Sequence, residues 1–123
     1  MNRQTLVMAR RLAGVLMLLS GGTHLSQLWV YGFVPNVVGA ASFGAIYLVI
    51  GYLLLRGGNL GLWLGAYLPT VGGICGAARY LLVHENPFSL FHIGIDLIVV
   101  PICLYLLVRE FRRLQQLVEP LAS

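Results

Sequence analysis

Four apolar stretches, residues 12–31, 37–55, 60–83 and 89–108, fill most of the chain, and short polar joints separate them. A helix needs about 20 apolar residues to cross a hydrocarbon core roughly 30 Å thick, so the pattern predicts four transmembrane helices. The joints carry helix punctuation. Pro35-Asn36 ends the first with Asn36 as an N-cap, Gly57-Gly58-Asn59 makes a tight hairpin, and Asn86-Pro87 followed by Ser89 turns into the last span. Joints this short make consecutive helices antiparallel neighbours. The expected fold is therefore a single all-α domain over residues 1–123, an integral membrane up-down-up-down four-helix bundle. Beyond residue 108, Phe111, Leu114, Leu117 and Val118 recur at helical spacing among arginines. They predict an amphipathic tail over 109–119 that lies at the cytoplasmic interface.

Composition agrees with a membrane protein: 59% of the 123 residues are hydrophobic and 10% charged, with a mean hydropathy of +0.85. Arg3, Arg10 and Arg11 precede the first span as they would in a signal peptide. That span is too long for a signal core, however, and no clean small-residue cleavage site follows it. Charge then sets the orientation. Of the eight arginines, Arg3, Arg10 and Arg11 precede span one, Arg56 separates spans two and three, and Arg109, Arg112 and Arg113 follow span four. Short cytoplasmic loops collect Lys and Arg. Both termini are thus expected on the cytoplasmic side of a bacterial or archaeal inner membrane. The net charge of +4 then needs no nucleic-acid partner, and the lipid bilayer is the first partner implied. Cys75 and Cys103 fall about 12 and 20 Å below the outer ends of their helices, too far apart in depth for a disulfide, and read as buried, inert thiols.

Small residues mark the helix faces that meet protein. Gly14, Gly21 and His24 share a face of span one, and Ala40, Gly44, Tyr47 and Gly51 share one of span two. In span three the stripe is Gly65, Pro69, Gly72, Gly76 and Arg79; in span four it is His92, Asp96, Val99 and Cys103. Pro69 and Pro101 each remove a backbone donor and predict kinks.

The exceptional arginine is Arg79, which sits inside a span. With the orientation above, His24, Gln27, Arg79, His92 and Asp96 lie at depths of about 5–10 Å from the outer end, so three helices place polar groups in the same half of the membrane. Charge within a span costs on the order of 2.5–3.5 kcal/mol, and Arg79 and Asp96 are the only opposite charges at this level. An Arg79–Asp96 ion pair is expected. Asp96, one turn from His92, is expected to orient its imidazole, with His24 and Gln27 completing the donors. His24, His92 and Asp96 are ligand types suited to Zn, Fe or Cu, although no short motif such as HExxH is present. Haem held between His24 and His92 is one cofactor reading. Quinone is another, with Tyr31, Tyr80, Phe88 and Phe91 as an aromatic wall. His84 and Glu85, in the outer joint, could exchange protons with the buried groups. No Ser, Cys or Thr stands in a nucleophile arrangement, only one carboxylate is buried, and the glycine-rich segments lie inside helices rather than at phosphate-binding turns. Independent catalysis and nucleotide chemistry are therefore not expected.

The segment Arg11-Leu12-Ala13-Gly14-Val15-Leu16-Met17-Leu18-Leu19-Ser20-Gly21-Gly22-Thr23-His24-Leu25, with three further spans in about 120 residues, resembles the small four-helix DoxX-like membrane proteins. Some members are linked to quinone-coupled sulfur oxidation, which the resemblance permits; Arg79 and Asp96 map onto no shared family motif. Three functional readings follow from the residues. The first is a polar pocket in the outer half that binds a small molecule or contacts a membrane partner. The second is an accessory subunit of a redox enzyme that handles quinone or haem. The third is an oligomeric transporter or channel subunit, in which Asp96 and His24 are protonated and small-residue seams join several protomers.

Overall fold

The computed structural model describes residues 1–122 and contains four α-helices among them: α1 (Arg3–Tyr31), α2 (Pro35–Arg56), α3 (Leu60–Leu82) and α4 (Pro87–Ala122). All four are long and apolar enough to cross a membrane, which fits an integral membrane protein. Large apolar side chains such as Trp29, Tyr67, Ile74 and Leu97 point outward, as lipid-facing residues do.

The helices follow the four apolar stretches, with differences at their ends. α1 starts nine residues before the apolar run, because Asn2 caps it: the Asn2 side chain accepts the Thr5 N–H at 2.9 Å. α2 opens on Pro35 with Val34 at the cap position, where a missing N–H costs nothing. Asn36 is therefore already inside the helix and does not cap it, contrary to expectation. Gly57 and Gly58 take φ values of 108° and 83°, the left-handed conformation that lets the α2–α3 joint turn in so few residues. The tail is a helical continuation of the last span. α4 runs from Pro87 to Ala122 without interruption, because residues 109–119 continue the helical spacing and contain no breaker before Pro120.

α1 pairs most closely with α2 and α3 with α4, while α1–α4 and α2–α3 complete the ring. The core comprises Met17 from α1, Tyr47, Ile50 and Leu54 from α2, Leu62 and Ala66 from α3, and Ile95, Val99 and Cys103 from α4. Glycines decide how near the backbones come. A methyl group at Gly21 would lie 2.7 Å from the Gly44 carbonyl oxygen, and one at Gly51 would lie 2.9 Å from that of Gly14. These four residues make an α1–α2 seam that accepts no side chain, as the sequence spacing predicts.

α3 behaves differently along its length. Its buried residues are Gly61, Leu62, Gly65, Ala66 and Pro69, all in the half next to the α2–α3 hairpin. Gly61 lies against the backbone of Leu53 and Leu54, and Gly65 against the Cys103 sulfur. From Thr70 to Glu85 no residue is buried. Gly72 is still pressed by the Tyr47 hydroxyl, whereas the nearest atom to a methyl group at Gly76 would be 3.9 Å away, on Ile93. Beyond Gly72, α3 packs less closely than it does below Pro69, and a hollow opens beside it. Cys75 is exposed and Cys103 buried, both as free thiols, so the expectation of two buried thiols holds only for Cys103.

Candidate functional site

The hollow has a volume of about 480 Å³ and lies in the arginine-poor half of the bundle. Each helix contributes to it: His24 from α1, Asn36 and Phe43 from α2, Gly72, Gly76 and Arg79 from α3, and Ser89, His92 and Asp96 from α4. Four of the five residues singled out in the sequence thus line one hollow. The fifth, Gln27, is completely buried beside it. The polar layer is real, but its members are joined differently from the expected pattern.

His24 and His92 stack face to face, with ring centroids 3.5 Å apart and planes within 13°. The contacts that orient each ring come from α1. His24 Nδ1 is 2.8 Å from the Ser20 carbonyl oxygen, which can only accept; His24 therefore carries its proton on Nδ1. His92 Nε2 is 2.7 Å from the Thr23 hydroxyl oxygen. That hydroxyl also reaches the carbonyls of Leu19 and Ser20, at 2.9 and 3.0 Å. The Thr23 hydroxyl thus ties the His92 ring to the backbone of α1. Tyr47 closes the other side, edge-on to His24 at 5.3 Å.

Asp96 Oδ1 is without a partner, and the expected bond from His92 to Asp96 is not made. Nor is the Arg79–Asp96 ion pair: among the described residues the ion pair that forms is Arg113–Glu110, at 2.8 Å in the tail. The reason is depth. Arg79 lies three residues from the end of α3 at Leu82, and Asp96 nine residues from the start of α4 at Pro87. The two differ by about 9 Å along the bundle. Amides nearer to Arg79 take its protons instead. Arg79 Nη1 donates to Gln27 Oε1 at 3.3 Å, and Nη2 donates to Asn36 Oδ1 at 3.1 Å. Gln27 Oε1 also accepts from Asn86 Nδ2 at 2.8 Å. Asn86 Oδ1 in turn accepts the Phe88 N–H at 2.9 Å and the Tyr31 hydroxyl at 3.2 Å. This chain of amides ties α1, α2, α3 and the first turn of α4 around one guanidinium.

Asp96 stands apart from that chain. It is 6% exposed, its Oδ1 has no hydrogen-bond partner, and its carboxylate would be in ordinary contact, at 3.4 Å, with a methyl group on Gly73. His24, His92 and Asp96 do not gather into a metal-binding group, and no set of three or more His, Cys, Asp or Glu does so among the described residues. The His24 and His92 rings stack at 3.5 Å, without the interval that a haem held between them would occupy. The expected aromatic wall is corrected too: Tyr31, Tyr80, Phe88 and Phe91 do not line the hollow, and Phe43 does. Phe88 and Phe91 instead approach the His92 ring, at 6.3 and 5.6 Å. His84 and Glu85 are exposed, with His84 set edge-on to Tyr31 at 5.3 Å.

Sequence reasoning passed over Asn86, which is fully buried. Its place in an Asn-Pro joint marks a turn and carries no signal that the side chain faces inward. Asn36 reads as a cap, and nothing in the sequence distinguishes Thr23 as a partner of His92. Ser89 was read as part of the same turn, yet it is buried beside the hollow.

No family model matches the chain, and comparison with curated proteins and with solved structures finds no match either.

Proposed function

We propose that this chain is an inner-membrane protein with an up-down-up-down arrangement and both termini in the cytoplasm, whose hollow binds a small amphipathic molecule on the extracytoplasmic side. One observation carries the reading. Four buried side-chain polar atoms lack a hydrogen-bond partner among the described residues, and three of them, Arg79 Nε, Ser89 Oγ and Asp96 Oδ1, belong to residues that line the hollow. Leaving such a group unpaired costs about 1–3 kcal/mol, more when it is charged. Their grouping around one space is what a ligand's polar head would use.

The donor set narrows the head. Arg79 and Ser89 offer protons to a carbonyl or hydroxyl oxygen, and Asp96 accepts one from a hydroxyl. Around them Phe43, Leu82 and Ile93 supply an apolar lining suited to a ring or chain. A quinone or quinol meets both demands, which favours the role of an accessory protein to a membrane redox system. The DoxX-like resemblance of span one agrees with that role. The chain itself would hold and orient the molecule without a catalytic step of its own.

Gly76 provides the test, because a side chain there enters the hollow without striking backbone. Wild-type protein purified in mild detergent should yield an extractable amphipathic compound by mass spectrometry at near-stoichiometric amounts, and Gly76→Phe should lose at least nine-tenths of it while eluting as the same folded species. Equal amounts from both proteins, or none from the wild type, would overturn the assignment.

A further inference from the structure

At the opposite end of the bundle, the overhanging ends of α1 and α4 form a second hollow of about 910 Å³. Its walls are two helix faces with matching spacing. On α1, Arg3, Leu6, Val7 and Arg10 stand at intervals of three and four, and on α4 so do Arg109, Arg112, Arg113 and Gln116. Five arginines therefore face one groove, against a single carboxylate, Glu110, which is already paired with Arg113. Leu6, Val7, Leu62 and Leu106 make its floor.

The arginines do not neutralise one another, and most have no carboxylate to meet. Arg10 is held by backbone: its Nε donates to the Leu54 carbonyl at 2.8 Å and its Nη2 to that of Gly58. These are carbonyls at the end of α2 and in the hairpin, so Arg10 locks the groove to the bundle while keeping its full charge. Arg109 reaches only the Tyr105 hydroxyl, at 3.5 Å. Arg3 and Arg112 make no side-chain hydrogen bond or ion pair among the described residues. Orientation by the membrane accounts for arginines at this end, yet it is equally served by Arg11 and Arg56, which lie outside the groove. It does not explain why five converge from opposite ends of the chain over an apolar floor.

We infer that this groove is a binding site for an anionic phospholipid, its phosphodiester held by the guanidinium groups and its acyl chains laid against the leucines and Val7. Guanidinium is the side chain best matched to phosphate oxygens, and basic pockets between transmembrane helices are suited to anionic headgroups. Charge complementarity selects an anionic lipid over a zwitterionic one. The apolar floor selects a lipid over free phosphate. The site relies on the membrane-embedded reading of the chain but not on any ligand in the first hollow.

The test compares two double variants of the full chain. Wild type is purified in mild detergent, exchanged against mixed micelles holding equal phosphatidylglycerol and phosphatidylcholine, and the retained lipid is counted by native mass spectrometry. Wild type should keep phosphatidylglycerol at least fivefold over phosphatidylcholine. Arg3→Gln with Arg112→Gln, which breaks no protein hydrogen bond, should lose that preference, whereas Arg11→Gln with Arg56→Gln should keep it. Equal loss in both double variants would reduce the effect to general surface charge and overturn the site. So would equal retention of the two lipids by wild type, or displacement of phosphatidylglycerol by millimolar inorganic phosphate, which would make free phosphate the occupant. Any compound retained in the first hollow should be unchanged by these variants, so failure here is separable from failure there.

Discussion

The α1–α2 seam and the stretch of α3 from Gly73 to Gly76 both carry glycines, and they do opposite things. Along the seam, Gly14, Gly21, Gly44 and Gly51 bring two backbones so close that a methyl group at any of them would fall within 3.0 Å of another atom. Along α3, Gly76 meets nothing nearer than 3.9 Å and Gly73 only the Asp96 carboxylate at 3.4 Å. Glycine in the first place closes a joint. In the second it leaves space, and the polar residues of the bundle gather around that space. Small residues in a membrane helix therefore have two uses, contact and clearance, and spacing alone does not separate them.

The sharpest way to break the comparison is at Gly44. A side chain there begins 2.5 Å from His24 Cβ and 2.8 Å from the Gly21 carbonyl oxygen, and neither backbone can yield without separating α1 from α2. Overpacking costs about 1–3 kcal/mol in a well-packed core, occasionally more. Gly44→Leu should go further and abolish the monodisperse peak in size-exclusion chromatography; a normal peak with wild-type thermal stability would show that the seam is not closed.

A smaller effect is expected at Gln27, where the hollow's rim is held. Gln27→Leu leaves Arg79 Nη1 and Asn86 Nδ2 without their shared acceptor, at about 1–3 kcal/mol for an unpaired buried donor. The melting temperature in detergent should fall by several degrees, and Gln27→Glu, which keeps an acceptor beside the guanidinium, should recover most of the loss. No change in Gln27→Leu would mean that the amide chain does not hold the rim.

The smallest effect has the opposite sign. Gly76→Ala adds a methyl group with room to spare and removes the conformational freedom of glycine, so it should leave stability unchanged or raise it by about 0.5–1 kcal/mol. A marked fall in melting temperature in Gly76→Ala, of the kind expected of a methyl group placed 2.5 Å from His24 Cβ at Gly44, would erase the distinction between seam and hollow.

Much of the helical architecture is legible in the chain, because hydrocarbon admits few ways to satisfy a backbone. Apolar run length sets the helices, and the glycine spacing on spans one and two foretells the seam. The level of His24, Gln27, Arg79, His92 and Asp96 can be counted from the joints. Who bonds to whom cannot. A shift of two residues in where α4 begins changes the depth of Asp96 by about 3 Å. Meanwhile amides that look like turn signals, Asn36 and Asn86, turn inward and compete for the same donors. Arg79 illustrates the point. Its charge within a span demands partners, but a carboxylate and three amides all qualify until the helices are assembled.

By itself the sequence determined that four helices form, which faces are small, and which half of the bundle holds the polar groups, since each of these follows from local periodicity and from the cost of placing charge in lipid. Only the tertiary structure decided that the histidines stack, that Arg79 is answered by amides and Asp96 left unpaired, and that five arginines from the two ends of the chain face one groove. Those outcomes depend on distances between helices, and such distances are set by how closely glycines let backbones approach, a quantity that no single helix encodes.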